Sequence, residues 1–395
     1  MKNPYIKTSF GMYLNYFMLG MINIIIASNM GNLSESYNQP VERISLLVSA
    51  IGIGKLVALF FAGRLSDKLG RKPIIITGSF LYLLFLIGIP LLSSYPVAFA
   101  LAITAGIANS LLDSGTYPAL IESFPKQSSS ATVLVKAMVS IGATLLPVIL
   151  AFLASHDLSW GWSFYLLAVL FLISGMYLIF MPFPAVHTND KNEKTSEAQD
   201  NRFKEKPKFW GEGLAIILIG FTSTALFVVW QTWLPELGTG FMDLSENVAV
   251  QLLSYFSIGA LVSVLLLAVV LDKFIKPITI MIIYPAVAFV SMLMLFFVHS
   301  YPVVIISTFI LGLSTSGIFQ LAISVMTDFF VENKGTTTSY VNIAGSVAFI
   351  LVPIITSSLV GGIGISMTLV FDMVIAVLSI LLAVFVLYRG KKVLN

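Results

Sequence analysis

Gly63-Arg64-Leu65-Ser66-Asp67-Lys68-Leu69-Gly70-Arg71-Lys72 lies between two long apolar runs and holds five charges in ten residues. A segment this short cannot be a domain. It reads as a basic hairpin joining two apolar helices. Gly63 suits a close helix approach and Gly70 a tight turn, because neither carries a Cβ. Asp67 is the one carboxylate, placed to accept from the first amides of a neighbouring helix and to pair with Arg71.

Composition agrees with helices that cross a bilayer. The chain is 57% hydrophobic and 10% charged, with a mean hydropathy of +0.95. A water-soluble domain carries roughly 25% charged residues. There is no cysteine, so disulfides and thiolate metal sites are excluded. The three histidines, His156, His187 and His299, fall near span ends or in a polar linker, which argues against a buried histidine relay.

A crossing takes ~20 apolar residues at ~1.5 Å each. Twelve segments qualify: 9–34, 44–66, 73–93, 96–121, 130–154, 161–182, 211–236, 248–271, 277–298, 302–328, 336–360 and 363–388. The breaks carry turn residues, as in Tyr37-Asn38-Gln39-Pro40 and Ser300-Tyr301-Pro302. Backbone polar groups in hydrocarbon must be bonded internally, so these runs are helices. With both termini on one side, that side collects nearly all loop cations, and the opposite side has only Arg43. The asymmetry predicts cytoplasmic termini in a multi-pass protein of the cell membrane. Residues 184–208 are polar and charged and read as a cytoplasmic linker between residues 1–183 and 209–395.

The two halves repeat. A shift of 206 residues carries Gly106 onto Gly312, Glu122 onto Asp328, Pro147 onto Pro353 and Lys136 onto Asn342. Asp67 finds a worn counterpart in Asp272. Each half has an even number of spans, so the repeats are parallel, related by an axis along the membrane normal.

The 63–72 hairpin matches G-x-L-x-D-(R/K)-x-G-(R/K)-(R/K) and resembles the loop between helices 2 and 3 of the major facilitator superfamily. The resemblance implies an all-α membrane protein of twelve helices in two six-helix bundles, which rock about a site near the membrane midplane. It also implies that Gly63, Asp67, Gly70, Arg71 and Glu122, with Asp272 and Asp328 in the second half, form a gate that latches the outward-facing state.

Charges within spans need a reason, since each costs at least ~2.5 kcal/mol on insertion scales. Asp113 is the leading proton carrier. Its surroundings, Gly106-Ile107-Ala108-Asn109-Ser110-Leu111-Leu112-Asp113-Ser114-Gly115, resemble helix 4 of the sugar–proton symporter branch, where an acidic residue takes up the coupling proton. Tyr117 stands where that branch often has an asparagine. The competing expectation is a static salt bridge from Asp113 to Lys55 or Lys136. If one lysine neutralises Asp113, the other is left for an anionic substrate. Asp372, in the outer third of the last span, is a candidate second proton site.

Polar and aromatic residues within the spans are candidates to line a cavity and bind substrate: Tyr13, Asn15 and Asn23, Tyr117, Trp230 and Gln231, Gln320, and Tyr340 and Asn342. Trp233, beside Leu234-Pro235-Glu236, is expected at the membrane interface. The stretch Gly142-Ala143-Thr144-Leu145-Leu146-Pro147 lacks the G-x-x-x-G-P-x-x-G-G run of proton-antiporting drug exporters. No GxxxxGK[ST] loop for ATP occurs. The expectation is a proton-coupled symporter of a small polar, anionic metabolite, such as an organic acid or a sugar-like molecule. Its partners would be the substrate, protons and the lipid bilayer, without nucleic acid, cofactor, metal or catalytic residue, in a monomer. The alternatives are a proton-driven exporter and a non-transporting sensor or scramblase.

Overall fold

The structure is a computed structural model and describes residues 4–184, 205, 207–271, 275–330 and 334–393. Most of the 184–208 linker and all of Asp272 lie outside these residues. Among the described residues, twelve helical segments are long and apolar enough to cross a membrane. The first bundle contains α1 (Ile6–Ser28), α2 (Met30–Tyr37), α3 (Val41–Leu69), α4 (Arg71–Leu91), α5 (Tyr95–Ser123), α6 (Ser128–Ser155) and α7 (Trp162–Ile179). The second contains α8 (Leu214–Gly240), α9 (Glu246–Val270), α10 (Pro277–Phe297), α11 (Tyr301–Thr315), α12 (Ile318–Phe329), α13 (Lys334–Gly362) and α14 (Ser366–Val393).

Two expected spans are broken. The first bends at Asn29, between α1 and α2. The tenth splits at Ser316-Gly317, where Gly317 has φ +89°. Just before that break, Thr315 Oγ1 donates to Leu311 O at 2.7 Å and so competes with the helical ladder. Both breaks sit in Ser/Thr/Asn-rich stretches that hydropathy alone does not resolve.

Glycine crossings set the distances inside each bundle. A Cβ on Gly54 would strike Ile103 O, and one on Gly106 would strike Ile51 O, so α3 and α5 touch backbone to backbone. The second bundle repeats the device between α9 and α11, with Gly259 against Phe309 O and Gly312 against Phe256 O. The sequence match of Gly106 with Gly312 is thus one contact used twice. Close approach of this kind gains dispersion energy where hydrophobic burial gives none, since lipid tails are equally apolar.

The bundles meet where α3 faces α13 and α6 faces α9. Ser49 donates to Ile350 O, Ser357 to Glu42 O and Ser254 to Thr144 O, each at 2.8 Å. All three bonds lie in the halves of α3, α6 and α9 away from the chain termini. On α3, Gly52 packs on Phe349 and Ile350 of α13, whereas a Cβ on Gly63 would meet nothing within 4 Å. Eleven residues is about three helical turns, so both glycines occupy one face. The helices therefore splay apart toward the face that bears the termini. The expected close helix approach at Gly63 is absent in this state.

Gly70 takes φ +96° and turns the chain from α3 into α4, as expected of the hairpin. Arg71, only 8% exposed, bonds Asp67 Oδ1 at 2.5 Å and Glu122 Oε1 at 2.9 Å. A second tie on the same face joins the ends of the other bundle. Glu212, in the π-helical turn Phe209–Gly213, is fully buried and accepts from Arg389 Nε at 2.6 Å and from Lys208 N at 2.8 Å.

Two stability outcomes follow from this packing. Gly106→Ala should cost about 1–3 kcal/mol because its methyl meets a carbonyl, whereas Gly63→Ala should stay within about 0.5 kcal/mol. Arg71→Ala strands a largely buried Glu122 and should cost about 2 kcal/mol or more. Asp67→Ala removes an exposed partner and should cost less than about 1 kcal/mol. Thermal unfolding of the purified variants checks both orderings, and equal melting temperatures within either pair would contradict them.

Candidate functional site

Lys55 sits at the midpoint of α3, level with Gly106 and Ile107 of α5, and Asp113 follows roughly 9 Å further along α5 toward the face bearing the termini. Ser110 Oγ donates to Lys55 O at 2.9 Å, tying the lysine's backbone to the helix that carries Asp113. Asp113 and Tyr117 are one turn apart on α5 and share a face. Tyr16 of α1 donates its hydroxyl to Asp113 Oδ1 at 2.6 Å, and its ring meets Tyr117 edge-on with centroids 5.8 Å apart. Lys136 of α6 places Nζ 5.9 Å from the Tyr117 ring centroid. Lys55 Nζ lies 5.1 Å from the centroid of Phe349, on α13 of the opposite bundle.

The expected static salt bridge is not formed. Among the described residues, neither Lys55 nor Lys136 reaches a carboxylate oxygen within 4.0 Å. Lys55 instead rests against the Phe349 ring, and Lys136 lies beside Tyr117 within reach of its hydroxyl, contacts that attract a cation without neutralising it. Asp113 is held by a neutral phenol. The cluster therefore joins two cations to one carboxylate at mid-depth, and Lys55 spans the seam between the bundles.

Two sets of exposed polar side chains stand out. Asn23 is the one exposed residue between Met18 and Met30. A lipid-facing stripe would recur one turn away, but Leu19, Gly20, Ile26 and Ala27 are buried. Asn23 thus borders an internal space. On α12, Gln320, Ser324 and Asp328 form an exposed polar stripe, while Leu321, Ala322, Val325, Met326 and Phe329 are buried. Such a stripe faces water, because lipid would leave its polar groups unsatisfied.

The remaining candidates scatter. Asn15 is fully buried inside the first bundle, where it donates to Ser79 Oγ at 3.0 Å and accepts from Ser174 at 2.7 Å. It ties α1, α4 and α7 together. Tyr13, half-buried, donates to Ala131 O at 3.2 Å. Asn342 donates to Thr338 O of its own helix at 3.1 Å, and exposed Tyr340 packs on Phe209 with ring centroids 5.6 Å apart. Trp230 and Gln231 are buried in the second bundle. Trp233 is not interfacial: it is fully buried and donates to Thr356 Oγ1 at 2.8 Å. Of the gate residues, Asp67, Gly70, Arg71 and Glu122 form one cluster, and Asp328 is exposed at the end of α12.

Four contributing residues carry little or no signal in the sequence. Tyr16 has a weak signal, about one turn past Tyr13 and next to Asn15 in a mostly apolar helix. Phe349 has none, because its role depends on where α13 meets α3. Glu212 and Arg389 are 177 residues apart, and each alone looks like an ordinary charge at a span end.

Comparison with known proteins agrees with this architecture. The family described as Major Facilitator Superfamily matches residues 9–298 and 242–394. The uncharacterized MFS-type transporter YfkL of Bacillus subtilis (strain 168) is 47% identical over 99% of this chain and 98% of its own length. The inner membrane transport protein YdiN of Escherichia coli (strain K12) is 35% identical over 99% of this chain and 92% of its own length. Among solved structures, a D-xylose-proton symporter superposes with a TM-score of 0.76 over 97% of both chains at 15% identity, which shows a shared fold. By the family match and the two long alignments, the chain belongs to the major facilitator superfamily and is a secondary transporter of that family.

Proposed function

We propose that the protein carries a small carboxylate-bearing metabolite across the cytoplasmic membrane together with a proton, by alternating access between its two bundles. The observation that carries this reading is the unbalanced mid-depth cluster: two lysines without an acidic partner beside one aspartate, at a seam that splays toward the face bearing the termini. The loop cations support a cytoplasmic location for that face. A D-xylose-proton symporter shares the fold, which makes proton symport a chemistry the scaffold accommodates.

The coupling is electrostatic. With Asp113 ionised, its charge offsets one lysine, and a substrate carboxylate would meet a like charge in the site. A proton on Asp113 removes that repulsion and leaves both ammonium groups to the substrate. Tyr16 keeps its hydrogen bond in either case, donating to the carboxylate or to the carbonyl oxygen of the acid. Proton and anion thus each favour the other's binding, as linkage requires. Release toward the cytoplasm reverses the order. Asn23, Tyr117 and Gln320 supply polar contacts along the water-filled space, while Arg71, Asp67 and Glu122 steady the end that must close against α13.

Reconstituted vesicles tested with a panel of labelled small carboxylates should accumulate one class under an inward proton gradient, and a protonophore should abolish the accumulation. Asp113→Asn should retain substrate exchange but lose uphill accumulation. Lys55→Gln and Lys136→Gln should each raise KM about tenfold or more, equivalent to about 1.4 kcal/mol. Continued concentration of substrate by Asp113→Asn would contradict the proton assignment, and unchanged KM in both lysine variants would contradict the anion assignment.

A further inference from the structure

The second bundle holds a carboxylate that the mid-depth cluster does not use. Asp372 lies in α14, within two turns of Ser366, and is fully buried. Neither of its carboxylate oxygens has a hydrogen-bond partner. Trp230 of α8 approaches it, yet the indole Nε1 is also left without a completed hydrogen bond. Two complementary polar groups thus face each other, both unsatisfied, in a bundle interior.

The helices packed on α14 are α8, α10 and α13, together with the π-helical turn before α8. Their charges can be read directly. Pro277–Phe297 contains no charged residue. Lys334–Gly362 carries only Lys334, at the face bearing the termini. The π-turn carries Glu212, and α8 carries Glu236. On α14 itself, Arg389, Lys391 and Lys392 stand at the terminal end, and Arg389 is paired with Glu212. Arg389 is about 25 Å along the helix from Asp372. No cation therefore lies at the depth of Asp372 on any of these helices. An ionised carboxylate there would have no counter-charge and no completed donor, the costliest arrangement for a buried group. A neutral carboxyl is far cheaper, and its carbonyl oxygen suits the approaching indole.

We infer that Asp372 is a second proton-binding site, separate from Asp113, which holds its proton while the seam is closed on the far side and releases it when that side opens. On release the carboxyl O–H bond breaks, the electron pair stays on the carboxylate, and the proton passes to water. An acidic cavity lies farther out along α8. Glu236, six residues beyond Trp230 on α8, lines a cavity of about 330 Å³ on the far face together with Glu35 and Glu246. Pro235 lies between Trp230 and Glu236 and removes one backbone donor from α8, so the carbonyl of Gln231 lacks its helical partner and the segment over Asp372 bends easily. This inference does not rest on the anion reading of the mid-depth cluster.

Infrared spectroscopy of the purified full-length protein in lipid tests it without any substrate. At neutral pH, the parent minus Asp372→Asn difference should show the carbonyl band of a protonated carboxyl that shifts in heavy water. The same band should persist in Asp113→Asn, which separates the two sites. Trp230→Phe keeps the acid but removes the donor, so it should move the band without abolishing it. This second variant also guards against a folding defect in Asp372→Asn. The fluorescence of Trp230, taken as parent minus Trp230→Phe, should change over the pH range in which the band disappears. A difference spectrum showing only carboxylate bands at neutral pH would overturn the inference. So would a carboxyl band that neither exchanges in heavy water nor titrates, since that describes a sealed structural acid.

Discussion

Hydrocarbon cannot solvate a charge, and this constraint organises the molecule. The insertion cost of a mid-span lysine or aspartate is about 2.5–3.5 kcal/mol. A desolvated cation–π contact returns about 2 kcal/mol or more. The rings of Tyr117 and Phe349 therefore offset much of that cost for Lys136 and Lys55, and Asp113 attracts both lysines. The proposed transport requires water to reach these groups between the bundles, and exposed Asn23 is the position at which to test for it. At the face bearing the termini the constraint is met differently, by ion pairs that close on themselves: Arg71 with Glu122, and Arg389 with Glu212.

Backbone contact supports the same arrangement. Gly54 and Gly106 bring α3 and α5 together closely enough for Ser110 to hold the Lys55 carbonyl. A larger residue at either glycine would part the helices and separate Lys55 from Asp113. The crossing recurs at Gly259 and Gly312, so the same backbone contact holds the second bundle together across the seam from the first. The seam is bonded on one side by Ser49, Ser254 and Ser357 and splayed on the other.

The fold was legible because its signals are local or periodic. The 63–72 hairpin, the apolar runs and the matched glycines depend on nearest neighbours or on a fixed shift along the chain. The site was legible only in its charges, because burying a charge leaves a mark that composition alone reveals. Which uncharged residues join them depends on helix rotation. Asn15 and Tyr16 are adjacent, yet about 100° of turn sends one into the bundle and the other to Asp113. Trp233 shows the same limit: its sequence position suggests the interface, and its bond to Thr356 places it in the interior. The Glu212–Arg389 tie was hidden by distance along the chain, and the breaks at Asn29 and Gly317 by apolar runs that continue across them.

The central claim is that water entering from the face bearing the termini reaches the middle of the molecule. The natural absence of cysteine makes a direct measurement clean. Asn23→Cys, in sealed vesicles of known orientation, is exposed to a membrane-impermeant thiol reagent from either side. The account predicts rapid labelling from the side bearing the termini and slow labelling from the other. Labelling by lipid-soluble reagents alone, or from neither side, would contradict it.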